Sequence, residues 1–284
     1  MADSLYAARN YYYIGAYQQC AKEAQNANVK TDKERLEKDA FLFRSYVALG
    51  KSSVVLSEIS ADVKDDVLKA VRFLALFKSQ FNTDRVVGQA EELAENTVDD
   101  LALVILGSIL IIAGKFEEAY QILKRSDLLE ARALSVQCLL AVNRFDLALR
   151  GMKQMQEIDE DATLTQLTLA WLYICNGKEK LQDAFYIYQE MIDKFGATSD
   201  LLISQSAVRI MKKEIPEAEN CIQLAEEKDS SAPGVLINQF LINSLQHKSD
   251  DILNRSLTQL KAEHSNLAWV KSYIEKEQQF DELE

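Results

Sequence analysis

The run Asp100-Leu-Ala-Leu-Val-Ile-Leu-Gly107-Ser-Ile-Leu110-Ile-Ile-Ala-Gly114-Lys-Phe116-Glu-Glu-Ala119-Tyr-Gln-Ile-Leu123-Lys-Arg125 decides the fold. It holds two amphipathic helical segments with a glycine turn between them. Gly107 is small where the first segment must lie close to the second. Gly114 occupies the sharp turn, where a Cβ would be strained. Phe116 opens the second segment and packs back on the first. Ala119 is small at the crossing, and Leu123 fills the seam one turn further on.

The same slots recur in both directions. Asn143, Phe145, Ala148 and Met152 repeat the second half. So do Gly177, Leu181, Ala184 and Tyr188, preceded by Ala170 and Tyr173, with two extra residues in the turn. Ile215, Ala218 and Ile222 give another copy, with Pro216 at a helix start, where its missing N–H costs little. Gly15, Tyr17 and Cys20 match near the N-terminus, Gly50 and Val55 more loosely. Val87 and Leu253 fill the small slot of two degenerate units. The small slots therefore fall at 20, 55, 87, 119, 148, 184, 218 and 253. This spacing is close to the period of about 34 residues of tetratricopeptide helix pairs. The expectation is an all-α fold, a right-handed α-solenoid of about eight such pairs forming one domain over 1–284, with 275–284 a frayed end.

Helix-start signals fall between the units, at Thr31-Asp32, Asp99-Asp100, Thr163, Ser199-Asp200 and Ser249-Asp250. The composition agrees with helices on short links. Apolar residues make up 48% of 284, with only 9 Gly and 2 Pro, too few breakers for a turn-rich β or α/β fold. Net charge is −12. Without a basic cluster, that makes the chain by itself a poor candidate for binding a nucleic-acid backbone or an anionic lipid surface. Cys20, Cys138, Cys175 and Cys221 form no C-x-x-C pair and sit in apolar helical contexts, which fits a reducing compartment. Met1-Ala-Asp-Ser4 does not read as a signal peptide. The apolar run 101–113 is too short to span a bilayer, which takes about 20 residues.

The sequence carries no catalytic constellation. His247 and His264 lie 17 residues apart with no Cys, Asp or Glu at ligand spacing, and read as surface imidazoles. There is no phosphate-cradling glycine loop and no nucleophile elbow. Asp159-Glu160-Asp161 lacks the alternating oxygens and glycine of a calcium loop and reads as a turn with helix N-terminal charge. Consecutive helical residues point in different directions, so Tyr11-Tyr12-Tyr13 reads as packing rather than a stacking platform. No enzyme, metal or cofactor is expected.

The first helix of each pair lines the inner face of such a solenoid. Measured from the Gly107 slot, inward positions lie three before, one after and four after. They are Val104, Ser108 and Ile111; Ala133, Gln137 and Leu140; Leu167, Trp171 and Ile174; Ile203, Ala207 and Ile210; and Asn238, Ile242 and Leu245. Ten apolar members are the expected partner-binding residues: Val104, Ile111, Leu140, Leu167, Trp171, Ile174, Ile203, Ile210, Ile242 and Leu245. A helix already buries one face against its neighbours, so a second apolar stripe implies a further cover. That cover is a lasting protein partner, or the superhelix itself if it winds tightly enough to fill its interior. Capturing a peptide C-terminus, as a co-chaperone adaptor does, would need Lys, Arg and Asn converging on this face. The stripe carries little of this.

Asp159-Glu-Asp-Ala-Thr-Leu-Thr-Gln-Leu167, Ala170-Trp171, Gly177-Lys-Glu-Lys-Leu-Gln-Asp-Ala184 and Tyr188-Gln-Glu-Met191 together resemble the signature stretch of the coatomer epsilon subunit family. Tyr13-Ile-Gly-Ala-Tyr-Gln-Gln-Cys20 and Leu257-Thr-Gln-Leu-Lys261 extend the resemblance along nearly the whole chain, with 60–100 the weaker match. The resemblance implies a non-catalytic subunit of the COPI vesicle coat, cytoplasmic and peripheral on Golgi and vesicle membranes. It implies a superhelix curled into a bracelet that grips the C-terminal domain of the coatomer alpha subunit. Other coat subunits and the membrane would be reached only indirectly, in Golgi-to-ER retrograde and intra-Golgi transport. The resemblance carries no catalytic residues and no contact residues to individual positions.

Overall fold

In the computed structural model the described residues are 3–79, 83–265 and 267–282. They form seventeen α-helices and no strand. Sixteen make eight successive pairs: α1 (Tyr6–Tyr13) and α2 (Tyr17–Asn26); α3 (Asp32–Ala48) and α4 (Ser52–Glu58); α5 (Asp66–Lys78) and α6 (Thr83–Asn96); α7 (Asp100–Ile112) and α8 (Phe116–Leu123); α9 (Leu129–Ala141) and α10 (Phe145–Ile158); α11 (Thr163–Asn176) and α12 (Lys180–Phe195); α13 (Ser199–Met211) and α14 (Ile215–Lys228); α15 (Pro233–Leu245) and α16 (Asp250–Glu263). A further helix, α17 (Ala268–Asp281), follows. Residues 275–281 are helical rather than frayed; 283 and 284 lie outside the described residues.

The chain divides into two compact units, Met1–Leu172 and Tyr173–Glu284, with the boundary inside α11. In the first unit, α3, α5, α7 and α9 pack in succession while the second helix of each pair lies on its partner. The core centres on Val71, Leu74, Ile105, Ile109, Leu110 and Leu123. A smaller cluster of Ala8, Cys20, Ala24 and Phe41 takes Tyr11, Tyr12 and Tyr13 against it, so the three tyrosines do pack. In the second unit the core joins Leu202, Ala218, Ile222, Val235 and Ile242. There α17 meets α15 through aromatic rings: Phe240 sets its edge to Trp269 and Tyr273 at 6.0 and 5.7 Å, and those two stack at 5.5 Å.

One turn design joins the helices of six pairs. The Lys115 amide donates to the Leu110 carbonyl at 2.9 Å and the Gly114 amide to Ile111 at 3.0 Å. This pair of bonds is a Schellman motif, which satisfies the last carbonyls of the helix and needs a left-handed residue after its cap. The same two bonds recur around Gly15, Gly50, Asn143, Lys213 and His247, all at positive φ. Lys213 and His247 hold φ of 64° and 53°, and lysine is not a residue that favours this region. In the remaining insertion, Gly177 and Lys178 are both left-handed.

The helix starts follow the sequence with small shifts. Thr31 and Glu34 form a reciprocal capping box, and the Asp99 carboxylate accepts from the Leu101 and Ala102 amides. Thr198, one residue earlier than expected, caps α13 by accepting from Leu201. Thr163 is itself the first residue of α11 and is buried. Asp65 caps α5, a start the sequence reading passed over. The small slots at Cys20, Val55, Val87, Ala119, Ala148, Ala184 and Ala218 are buried, and Leu253 is half-buried.

Candidate partner-binding face

The left-handed turn residue fixes the register of the helix before it. The residue five positions earlier is Asn10, Ser45, Ile109, Cys138, Val208 and Ile242 in the six pairs, and all are buried. Ile242 is thus the counterpart of Ile109, a core residue 0% exposed, and not of the inward-facing Ser108. The assignment on α15 slips by one residue. Counted back from His247, its inward positions are Ile237, Leu241 and Ser244 instead of Asn238, Ile242 and Leu245. A one-residue slip rotates a helical position by about 100°, enough to exchange a surface residue for a core one. Leu245 is 54% exposed but stands off the stripe. Neither glycine nor asparagine stands at 247 to mark this turn in the sequence.

The other expected residues divide by depth. Val104 and Leu167 are buried, so their work is packing inside the first unit. Ile111, Leu140 and Trp171 are half-buried there. In the second unit Ile174, Ile203 and Ile210 are half-buried, as are Ala207, Ile237 and Leu241. Gly234 lets α15 approach α13, since a Cβ there would stand 2.8 Å from an Ile203 methyl. Each unit therefore shows a narrower apolar strip than the spacing predicts, with the first position of the triplet often withdrawn into the core.

The charged ends beside the strip of the second unit are engaged within it, although the Arg209 Nε is buried without a hydrogen-bond partner. Arg209 pairs with Glu214 at 3.5 Å and lies over the Phe185 ring at 4.7 Å. Lys212 pairs with Glu214 at 2.6 Å and donates to Gln182 at 2.7 Å. Cations bound in this way are not available to hold a peptide carboxylate. On α1, α3 and α9 of the first unit the pattern turns polar and buried. Arg44 holds Glu130 in a forked ion pair, with their side chains 2% and 10% exposed. The Arg44 guanidinium lies 4.3 Å from the Tyr12 ring centroid and 5.2 Å from that of Phe41.

Burial raises the thiol of Cys138 to about 12 and pushes up those of Cys20, Cys175 and Cys221, and only Cys175 is exposed to a reagent. His247 is an exposed turn residue, while the Nε2 of His264 is buried without a partner, so the second is not a free surface imidazole. Asp159 and Asp161 form a local turn, the Asp161 amide donating to the Asp159 carboxylate at 3.1 Å. Among the described residues no three metal-ligating side chains converge, and no helix is long and apolar enough to cross a membrane.

Helix pairs with such a strip occur in many binding proteins, and the sequence comparisons separate them. A family model described as the coatomer epsilon subunit matches residues 1–284. The chain belongs to the coatomer epsilon subunit family. Among its relatives, the coatomer subunit epsilon of Caenorhabditis elegans is 39% identical, covering 100% of this chain and 98% of that protein. The coatomer subunit epsilon-1 of Oryza sativa subsp. japonica is 34% identical over 98% of this chain and 96% of its own length. Solved structures at 10–14% identity agree in fold. A tetratricopeptide repeat protein of Parabacteroides merdae superimposes with a TM-score of 0.56, over 83% of this chain and 95% of that one. A chain of the APC/C hetero-tetramer Cut9-Hcn1 does so with 0.62, over 97% of this chain and 54% of that one. Membership makes this chain a structural subunit of the coatomer, a cytosolic coat component of COPI vesicle transport and not an enzyme.

Proposed function

We propose that this subunit stabilises the coatomer by holding the C-terminal domain of its alpha subunit on the apolar strips of the first helices, in Golgi-to-ER retrograde and intra-Golgi transport. The observation that carries this is the position of Trp171 and Ile174 on α11. Both are partly exposed, although neighbouring Leu167 and Ala170 are withdrawn into packing. Large apolar side chains left at the surface of a well-packed helix are the usual anchors of a lasting interface. Contact with other coat subunits, and with Golgi and vesicle membranes, would then pass through the alpha subunit.

The experiment is co-purification with the alpha subunit's C-terminal domain, followed by titration of the Trp171→Glu, Ile174→Glu double variant. The wild-type chain should bind and gain thermal stability from the partner by mass action. The variant should keep its circular dichroism and lose binding. Undiminished binding by the folded variant would remove α11 from the interface. Absence of any complex with the wild-type chain would remove the partner.

A further inference from the structure

In a solenoid each repeat touches only its neighbours, so small rotations between repeats accumulate and curvature is soft. The helix packing of the first unit follows that rule, each helix meeting those one or two places along the chain. Side-chain contacts to Glu130 break it. Arg44 on α3 reaches Glu130 on α9, 86 residues away and three pairs further on. The contact is made by long side chains. Arg44 Nη1 donates to Glu130 Oε2 at 3.3 Å, and Nη2 donates to Oε1. The Tyr13 hydroxyl donates to the same Oε2 at 3.4 Å. Tyr12 and Phe41 place their rings beside the guanidinium.

We infer that Arg44, Glu130 and Tyr13 form a clasp that sets the curvature of the first unit and closes the inner side of its first two pairs to any partner. Counted back from Gly50, Arg44 holds the same inward position as Ser108 and Trp171. The clasp thus uses the central inward slot of the second pair for self-contact. Its chemistry makes it decisive rather than adjustable. A forked arginine–carboxylate pair has one good geometry, and both charges are buried, so a shift of α3 past α9 leaves each without its counter-charge. The inward slots Ser108 and Trp171, in later pairs of the same unit, carry no charge and leave that side to a partner.

The test is the distance between spin labels at Ala48→Cys on α3 and Gln137→Cys on α9, in a Cys175→Ser background. All three positions are exposed. A control pair, Gln137→Cys with Lys153→Cys, spans the directly packed α9 and α10. With the clasp intact both pairs should give one narrow distance. In Glu130→Gln, and in the milder Arg44→Lys, the α3–α9 distance should broaden and lengthen while the control stays narrow. An unchanged α3–α9 distance in either variant would overturn the clasp. Loss of the control distance in both variants would also overturn it, since the pair would then hold the core together rather than its curvature.

Discussion

Gly107→Ala puts opposing effects of known size against each other. In an exposed helix interior, replacing glycine by alanine stabilises by about 0.8–1.0 kcal/mol. At 107 the new Cβ would stand 2.6 and 2.7 Å from Leu123 Cδ2 and Cγ, and 3.2 Å from Cδ1. Leu123 is 0% exposed, so its branch point has no solvent to retreat into. Overpacking of this kind costs about 1–3 kcal/mol. The net expectation is a loss of about 1 kcal/mol, and a fall of about 2–4 °C in Tm for a chain of this size. Gly88 in α6 is the internal control, because a Cβ there meets nothing within 4 Å. Gly88→Ala should therefore raise stability by about 0.5–1 kcal/mol. Urea unfolding of the wild type, of the single variants and of the double variant Gly107→Ala, Leu123→Ala measures this. Truncating Leu123 alone costs about 2–5 kcal/mol. In the Gly107→Ala background the same truncation should cost about 1 kcal/mol less, because the added methyl occupies part of the vacated space. A stabilising Gly107→Ala, or strictly additive effects, would refute the reading that Gly107 exists for close helix approach.

The turns predict substitutions of opposite sign: Gly114→Ala, at φ 84°, should lose about 1 kcal/mol, and Lys213→Gly, at φ 64°, should gain up to about 1 kcal/mol in chemical denaturation. Breaking the buried ion pair through Glu130→Ala strands a guanidinium whose side chain is 2% exposed, and should cost about 3–5 kcal/mol, whereas Arg44→Met with Glu130→Leu should recover most of it. Brief alkylation of the native chain near neutral pH should modify the exposed Cys175 and spare buried Cys20, Cys138 and Cys221, which mass spectrometry reads before and after unfolding. The backbone amides of Lys30 and Thr31 hold the Glu34 carboxyl below its usual range. Its folded value is depressed, so its stabilising contribution is full above the unfolded value, about 4.3, and is lost as pH falls through the folded one. Amide exchange at the start of α3 should accelerate in that acid window and not between about pH 6 and 8.

The repeat was legible in the sequence because its signals are local. A glycine at a left-handed turn, a small residue at a helix crossing and an aromatic two places after the turn each act within one helix pair. They placed seven small slots in the core and located the turns at 15, 50, 114, 143 and 177. The same local physics hid two turns. Lys213 and His247 take the left-handed conformation because the hydrogen bonds around them hold it, and no residue type announces that. The register of α15, and with it the difference between core Ile242 and inward Leu241, followed from the missed turn. The depth of Val104 and Leu167 came from packing between pairs, which a period of about 34 residues does not encode. Nothing local marks Arg44 and Glu130 as partners either, since what joins them is the way four helix pairs turn in space and bring two charges, 86 residues apart, into one buried contact.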